Sequence, residues 1–379
     1  MPCQACADDR PKAGIPPRRR ERVVVEITPG WETAIRSITD RPGVAVVIGS
    51  ADTGKTTFTT QLANAAVQAG IPTAIVDADP GQSEIGPPTA IGMALVEGPI
   101  EALRDLAARR MYFVGSTTPA GHLLPTVVGV KRMTDEALAR GARLVVVDTS
   151  GLVRGAVGRR LKLYKVDLLA PQHVVGIEKA REIDHILSAL SRMERHTLHR
   201  LQVSADARPK LRDFRMARRR AQFYEYFRNA DRHILRLDDI VCWGTFFTTG
   251  RPVKWQHYRV LERALKVKIL HAEVVGSGMY IVVEGRPQPG GVALLVEKYK
   301  TRDFTVVSGA DFTNVLVGLA DANANIVDLG IIEAVDFGQR HMAVVTPAKT
   351  VAPVRIVQFG SLRIRADGAE LGRIRPGEI

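Results

Sequence analysis

Three observations predict an α/β fold: a parallel sheet with helices on both faces, followed by a smaller, mostly β, barrel-like C-terminal domain. Between residues 23 and 230, short β-branched runs alternate with longer stretches of helical period, the pattern of strands joined by crossover helices. The glycine-rich segment Gly49-Ser50-Ala51-Asp52-Thr53-Gly54-Lys55-Thr56 follows directly on the first apolar run. From residue 231 to 379 the texture changes to short alternating runs separated by turn signals such as Pro289-Gly290-Gly291, Asp336-Phe337-Gly338 and Asp367-Gly368.

Taken in order, residues 1–22 are rich in Pro and Arg and read as a flexible basic tail without the apolar stretch of a signal peptide. Cys3 and Cys6 form a lone C-x-x-C, either half of a shared zinc site or an incidental pair, since Cys242 stands far away. Three cysteines in 379 residues cannot make a disulfide framework, which points to a reducing, cytoplasmic setting. The expected strands of the first domain, residues 23–230, are Val44–Ile48, Thr73–Asp77, Met111–Val114, Leu144–Asp148 and His173–Ile177. Expected helices are Thr56–Gln68, Ile100–Arg109 and Lys131–Arg140, with Gly70 and Gly141 at helix stops and a further helix near 208–228. In the second domain, strands are expected at Tyr280–Glu284, Ala293–Val296, Val315–Leu319 and Arg355–Phe359. No apolar run approaches the roughly 18 residues of a membrane span, so no membrane partner is expected.

Charge is distributed unevenly. The chain carries 53 Lys and Arg against 40 Asp and Glu, a net charge of +13. Residues 10–22 hold +5 of it and residues 208–220 hold +6. Such localised charge is either a solvated face or the footprint of a polyanion such as nucleic acid.

The glycine-rich segment matches G-x-x-x-x-G-K-[ST], with an apolar strand before it and a helical pattern after it. Backbone amides and a helix N-terminus can then wrap a phosphate. Lys55 would reach the β- and γ-phosphates, and the Thr56 hydroxyl would hold Mg²⁺, with Thr57 next in the loop. This is the signature of a P-loop NTPase that binds ATP or another nucleoside triphosphate. Two acidic positions compete for roles beside it. Asp77 and Asp79 lie at the C-terminal end of the strand after the loop helix, the edge where a doubly wound sheet binds ligands. Phosphoryl transfer to a hydroxyl needs a carboxylate near that hydroxyl's proton, and Asp79, further out, is the better candidate for base or metal contact. Either acid can instead cap the next turn. Asp148 ends the apolar strand Leu144–Val147, where a carboxylate contacts Mg²⁺.

Together these motifs resemble the P-loop polynucleotide 5′-hydroxyl kinases, over residues 24 to 377. Asp52 in G-x-x-D-x-G-K-T-T is similar to that family's variant of the loop, and Asp77-Ala78-Asp79-Pro80-Gly81-Gln82-Ser83 to its D-x-D-x-G-Q-[ST] signature. The resemblance implies that Asp79 is the base or metal contact and that Gln82 faces the acceptor. It also implies that Thr117-Thr118-Pro119 is a clasp holding the acceptor strand; read from the residues, that segment is a stiff turn with two hydroxyls. Asp148-Thr149-Ser150-Gly151-Leu152 resembles a segment in which many members place a base-stacking Trp where Leu152 stands here. Arg215 and Arg219 resemble the arginine pair of the family's lid helix, one turn apart so that both reach one site; Arg218 and Arg220 compete with Arg219 for the second role. Phe223 and Phe227 would anchor that helix.

The leading functional expectation is therefore an enzyme that moves the γ-phosphate of ATP or another NTP, with Mg²⁺, to the 5′-hydroxyl end of RNA, with DNA as a second acceptor and a nuclease as partner. The alternative is an ATP-bound scaffold of an RNA-processing complex without turnover. A GTPase-like factor or small-molecule kinase is a third reading, but Glu178-Lys179 stands where a guanine-reading N-K-x-D would be.

Overall fold

The computed structural model describes residues 29–204, 211–300, 303–374 and 379. The basic tail with Cys3 and Cys6, and Arg208 and Lys210 of the second basic segment, lie outside the described residues.

The first sheet forms because four apolar runs are long enough to be covered on both faces. Strands β1 (Val44–Gly49), β2 (Thr73–Ala78), β5 (Leu144–Thr149) and β6 (His173–Glu178) are buried along their whole length, as central parallel strands must be. The sheet order is β4-β3-β2-β5-β1-β6-β7, where β3 is Ala90–Val96, β4 Arg110–Phe113 and β7 Thr197–Gln202. Alternation along each strand divides the core. Ala45, Val47 and Ile75 pack beneath α1 (Pro29–Asp40) and α2 (Lys55–Gln68), with Trp31, Phe58 and Leu62. Val46, Ile48 and Val76 pack with Val130, Val166 and Leu187 of α3 (Leu123–Ala139), α4 (Gly155–Leu169) and α5 (Asp184–Leu190) on the other face.

Three expectations are corrected. The sheet is parallel through β2, β5, β1, β6 and β7, but β3, unanticipated, pairs antiparallel with β2, and β4 antiparallel with β3. Ile100–Arg109 is not a helix: only a 3₁₀ turn at Leu103–Asp105 forms. The Asn64 side chain takes both the amide and the carbonyl of Ile100, each at 2.9 Å, and so competes with a helical ladder. Ala293–Val296 lies inside a helix, α8 (Gly291–Tyr299), rather than a strand. A four-residue apolar run fits both periods, and burial of Leu295 against Leu261 and Leu265 decides for the helix. Helix α3 also begins two turns before the expected Lys131, since Pro125 falls in its first turn, where no amide is needed.

After α6 (Arg212–Phe227) the chain builds two further sheets. Strands β8 (Asp231–Arg236), β9 (Val241–Trp243), β14 (Val315–Ala320), β15 (Ile326–Asp336), β16 (His341–Thr346), β17 (Ile356–Ile364) and β18 (Glu370–Arg373) form one, in the order β18-β17-β14-β15-β16-β8 with β9 parallel on β17. The other runs β10 (Arg251–Pro252), β11 (Ile269–Val275), β12 (Gly278–Val283), β13 (Phe304–Ser308), covered by α7 (Tyr258–Leu265) and α8. Helix α6 sits against the larger of these sheets: Phe223 and Phe227 are buried with Phe113 of β4 and Leu316, Leu362 and Ile364. No helix among the described residues is long and apolar enough to cross a membrane.

Candidate active site

The loop between β1 and α2 has the backbone of a phosphate cradle. Asp52 and Gly54 take the left-handed conformation, φ 59° and 85°, which turns the intervening amides inward. Gly49 is required by space, because a Cβ there would lie 2.5 Å from Thr53 Oγ1 and 2.7 Å from the Ile177 carbonyl. A cavity of about 600 Å³ opens above the loop, lined by Ala51, Asp52, Thr53, Gly54, Lys55, Thr56 and Thr57. Gly49 and Ser50 do not line it. They lie behind its lining, and the Ser50 carbonyl accepts from Lys55 Nζ at 2.6 Å. Burial pushes the Lys55 ammonium below its ordinary pKa, while Asp148, Asp79 and Asp52 pull it back up.

Across the cavity, Thr56 Oγ1 donates to Asp148 Oδ2 at 2.6 Å. The other carboxylate oxygen, Oδ1, is buried with no hydrogen-bond partner. A hydroxyl and a carboxylate with one unused oxygen fit a divalent cation. Among the described residues no group of three or more His, Cys, Asp or Glu forms a cage. A cation here would take its other ligands from phosphate and water, as Mg²⁺ does. Burial pushes the Asp148 carboxyl up to about 6, against the pull of Lys55 and the Thr56 hydroxyl.

Asp77, near the end of β2, and Asp79, just after it, both line the cavity and both accept backbone amides. Asp77 is buried, and its oxygens accept the amides of Asp79, Glu84 and Ile85 at 3.1, 2.5 and 3.0 Å. It holds the loop. Burial, then the nearby Asp148, raises its carboxyl to about 8 although the Glu84 and Ile85 amides lower it. Asp79 also caps the turn, since Oδ1 accepts the Gly81 and Gln82 amides at 3.0 and 3.2 Å. Asp79, Gln82 and Glu84 nonetheless line the cavity.

Thr117, Thr118 and Pro119 form the facing wall. The loop that carries them is pinned to the C-terminal sheet: Ser361 donates its amide to the Gly115 carbonyl at 2.8 Å, and Arg373 donates to Thr117 Oγ1 at 3.2 Å. Gly81 approaches it so closely that a Cβ would stand 2.5 Å from the Thr117 carbonyl.

Helix α6 closes the cavity from above. Arg215 pairs with Asp52 at 2.5 Å, Arg218 with Glu84 at 2.6 Å and Arg219 with Glu370 of β18 at 2.7 Å. Gln222 Nε2 donates to the Ser83 carbonyl at 2.6 Å. All three arginines line the cavity, whereas Arg220 pairs outward with Asp367 at 3.6 Å. One face of the helix thus brings three cations, not two, to the site.

Other residues here were not singled out in the sequence. Trp31 lines the cavity beside Gly54, held by its indole N–H donating to the Gln202 carbonyl at 2.9 Å; its spacing to Ala34 and Ile38 was the available sign of an amphipathic helix. Glu84, Glu370 and Arg373 are tertiary partners without a local signal. Lys162 and Lys165 of α4 are buried behind the β5–α4 loop. Lys162 Nζ donates to Thr149 Oγ1 at 2.9 Å and to the Ser150 carbonyl at 2.5 Å, while Lys165 Nζ has no partner. The arrangement can bind a triphosphate on amides and Lys55, neutralise it with cations from a second side, and set carboxylates beside a facing groove.

The chain is similar to known proteins over most of its length. The family model described as the P-loop of the mRNA cleavage and polyadenylation factor CLP1 matches residues 49–229. The chain is 34% identical over 332 residues to a polyribonucleotide 5′-hydroxyl-kinase of Pyrococcus furiosus, covering 88% of this chain and 90% of that protein. It is 31% identical over 337 residues to one of Methanocaldococcus jannaschii, with coverage of 88% and 90%. A solved Clp1p–Pcf11p complex contains a chain of like fold, with a TM-score of 0.54 at 12% identity over 87% of this chain and 77% of that one.

Proposed function

The chain belongs to the family of archaeal polyribonucleotide 5′-hydroxyl-kinases, and from that membership we propose that it transfers the γ-phosphate of ATP or another nucleoside triphosphate to the 5′-hydroxyl end of RNA, with DNA as a second acceptor. It is an enzyme, a phosphotransferase. The observation that carries the reading is the single cavity that holds the phosphate loop, Asp79, the Thr117–Pro119 wall and three lid arginines together.

In this reading the loop amides and Lys55 hold the donor phosphates. Thr56 and Asp148, with Asp79 beside them, would hold Mg²⁺, which when bound neutralises charge building on the phosphates. The Asp79 carboxylate accepts the proton of the acceptor 5′-hydroxyl as that oxygen attacks the γ-phosphorus; the bond from that phosphorus to the β–γ bridging oxygen breaks, and the nucleoside diphosphate leaves with its electron pair. Arg215 leaves Asp52 for the donor, and Arg218 or Arg219 completes the clamp from the same helix face. Gln82 and Thr117–Pro119 grip the acceptor backbone. Ends of this kind arise from cleavage that leaves a 5′-hydroxyl, so a nuclease of that class is the expected partner.

The test is transfer of labelled γ-phosphate from ATP to 5′-hydroxyl RNA and DNA oligonucleotides, with Mg²⁺. Wild type should label the 5′ end, and both Lys55→Ala and Asp79→Asn should lower the rate by at least ~100-fold, the scale of general-base and oxyanion-type contributions. Tight ATP binding without label on either acceptor would instead support the scaffold reading.

A further inference from the structure

A second cavity, about 290 Å³, lies between the phosphate-binding domain and the C-terminal sheet. Its walls include Tyr112 and His122 on one side and Trp243, Gln358 and Phe359 on the other. Trp243 is 47% exposed, unusual for so large an apolar side chain beside a cavity. Its strand is pressed onto β17: a Cβ on Gly244 would come 2.9 Å from the Phe359 carbonyl. The parallel pairing of β9 and β17 sets Gln358 directly opposite Trp243, so an indole and an amide share one wall. Gln358 is 9% exposed and lines this cavity.

The groove and the catalytic cavity draw on one stretch of chain. Thr117, Thr118 and Pro119 line the one, and Gly121 and His122, a few residues on, line the other. Arg373, which donates to Thr117 Oγ1, is followed directly by Ile374, a residue of the groove wall, and its positive charge also reaches His122. A cation therefore stands close both to the wall of the site for a 5′ end and to a groove with an aromatic wall and an amide.

We propose that this groove is a subsite for a nucleobase of the acceptor strand beyond its 5′-terminal nucleotide. Trp243 stacks on the base, Gln358 meets its hydrogen-bonding edge and Arg373 receives the intervening phosphate. The proposal rests on the kinase reading and narrows it: the preferred acceptor is a chain long enough to reach the groove, not a mononucleotide. Stacking on an indole tolerates any base, so the subsite selects for length more than for sequence. A segment of a partner protein would use the apolar walls but not the cation.

The experiment uses 5′-hydroxyl RNA decamers with 2-aminopurine at one position at a time, a base whose fluorescence falls when it stacks. Wild type should quench one position close to the 5′ end but not at it; Trp243→Leu should abolish that quench and Trp243→Phe retain part of it. In steady-state kinetics, the ratio of kcat/KM for the decamer over that for a nucleoside 3′-phosphate should fall about tenfold in Trp243→Leu, through KM, the loss expected for one base stack. A circular dichroism spectrum of Trp243→Leu, expected to match wild type, and the Trp243→Phe variant guard against misfolding as the cause. Label transfer to both acceptors with no position quenched and an unchanged ratio overturns the subsite and leaves the kinase standing. Transfer to neither acceptor overturns both.

Discussion

Lys165→Met removes a cation that the fold holds at a cost, and the variant should be more stable than the wild type at pH 7. Lys165 is 1% exposed and its Nζ has no hydrogen-bond partner. Burial lowers its pKa from the ordinary 10.5 to about 8, although Asp79, Asp148 and Asp77 draw it upward. At about 1.36 kcal/mol for each pH unit of displacement, the charged form is about 3 kcal/mol worse in the folded than in the unfolded chain. Methionine is of similar length and adaptable, so it keeps most of the packing. The pH dependence has a definite sign. Below about 8 both states carry the proton and the whole cost is present. Between 8 and 10.5 the unfolded chain binds a proton that the folded one does not, so wild-type stability rises with pH; above 10.5 the cost has gone. Urea unfolding should therefore show Lys165→Met ahead by up to about 3 kcal/mol at pH 7, with the gap narrowing toward pH 10. The same variant should transfer phosphate more slowly, because three buried or half-buried carboxylates at the ends of β2 and β5 lose a neighbouring cation. A variant less stable at pH 7, or a gap that does not narrow with pH, refutes the reasoning.

Two further outcomes are expected. The Asp148 carboxyl, raised to about 6, loses its charge as pH falls through that value; kcat/KM should drop about tenfold per pH unit below it, as for any single required deprotonated group, and a profile flat to pH 5 rejects the assignment. Because the folded pKa is the higher one, protonating this carboxyl favours the fold: its own contribution to stability grows as pH falls from about 6 toward 3.8. Gly81→Ala would put a Cβ 2.5 Å from the Thr117 carbonyl and must displace the facing loop. Steady-state kinetics with each substrate varied in turn should show the acceptor KM raised while that of ATP stays near wild type.

Much of the site was legible because its chemistry is local. A phosphate loop needs glycines and a lysine at fixed offsets from a strand, so Gly49, Gly54, Lys55 and Thr56 declare themselves, and the five strands expected in the first domain all form. Asp77 and Asp79 were visible as acids at a strand end, but not which amides each accepts, since that depends on how the following turn folds back. Ile100–Arg109 was misread because its competitor, Asn64, lies on another element. Ala293–Val296 was misread because four apolar residues carry no period of their own. The lid arginines were readable as a helix face, yet three enter the cavity, and their partners Asp52, Glu84 and Glu370 come from three separate parts of the chain. Trp31, Lys162 and Lys165 were silent, because an isolated Trp or Lys has no pattern until its surroundings exclude water. By itself, then, the sequence determined the phosphate loop, the strands that carry it and the acids beside it, all set by neighbours within a few residues. Only the tertiary structure decided which cations face those acids and which segments wall the cavity, since those depend on desolvation and on contacts between segments far apart in the chain.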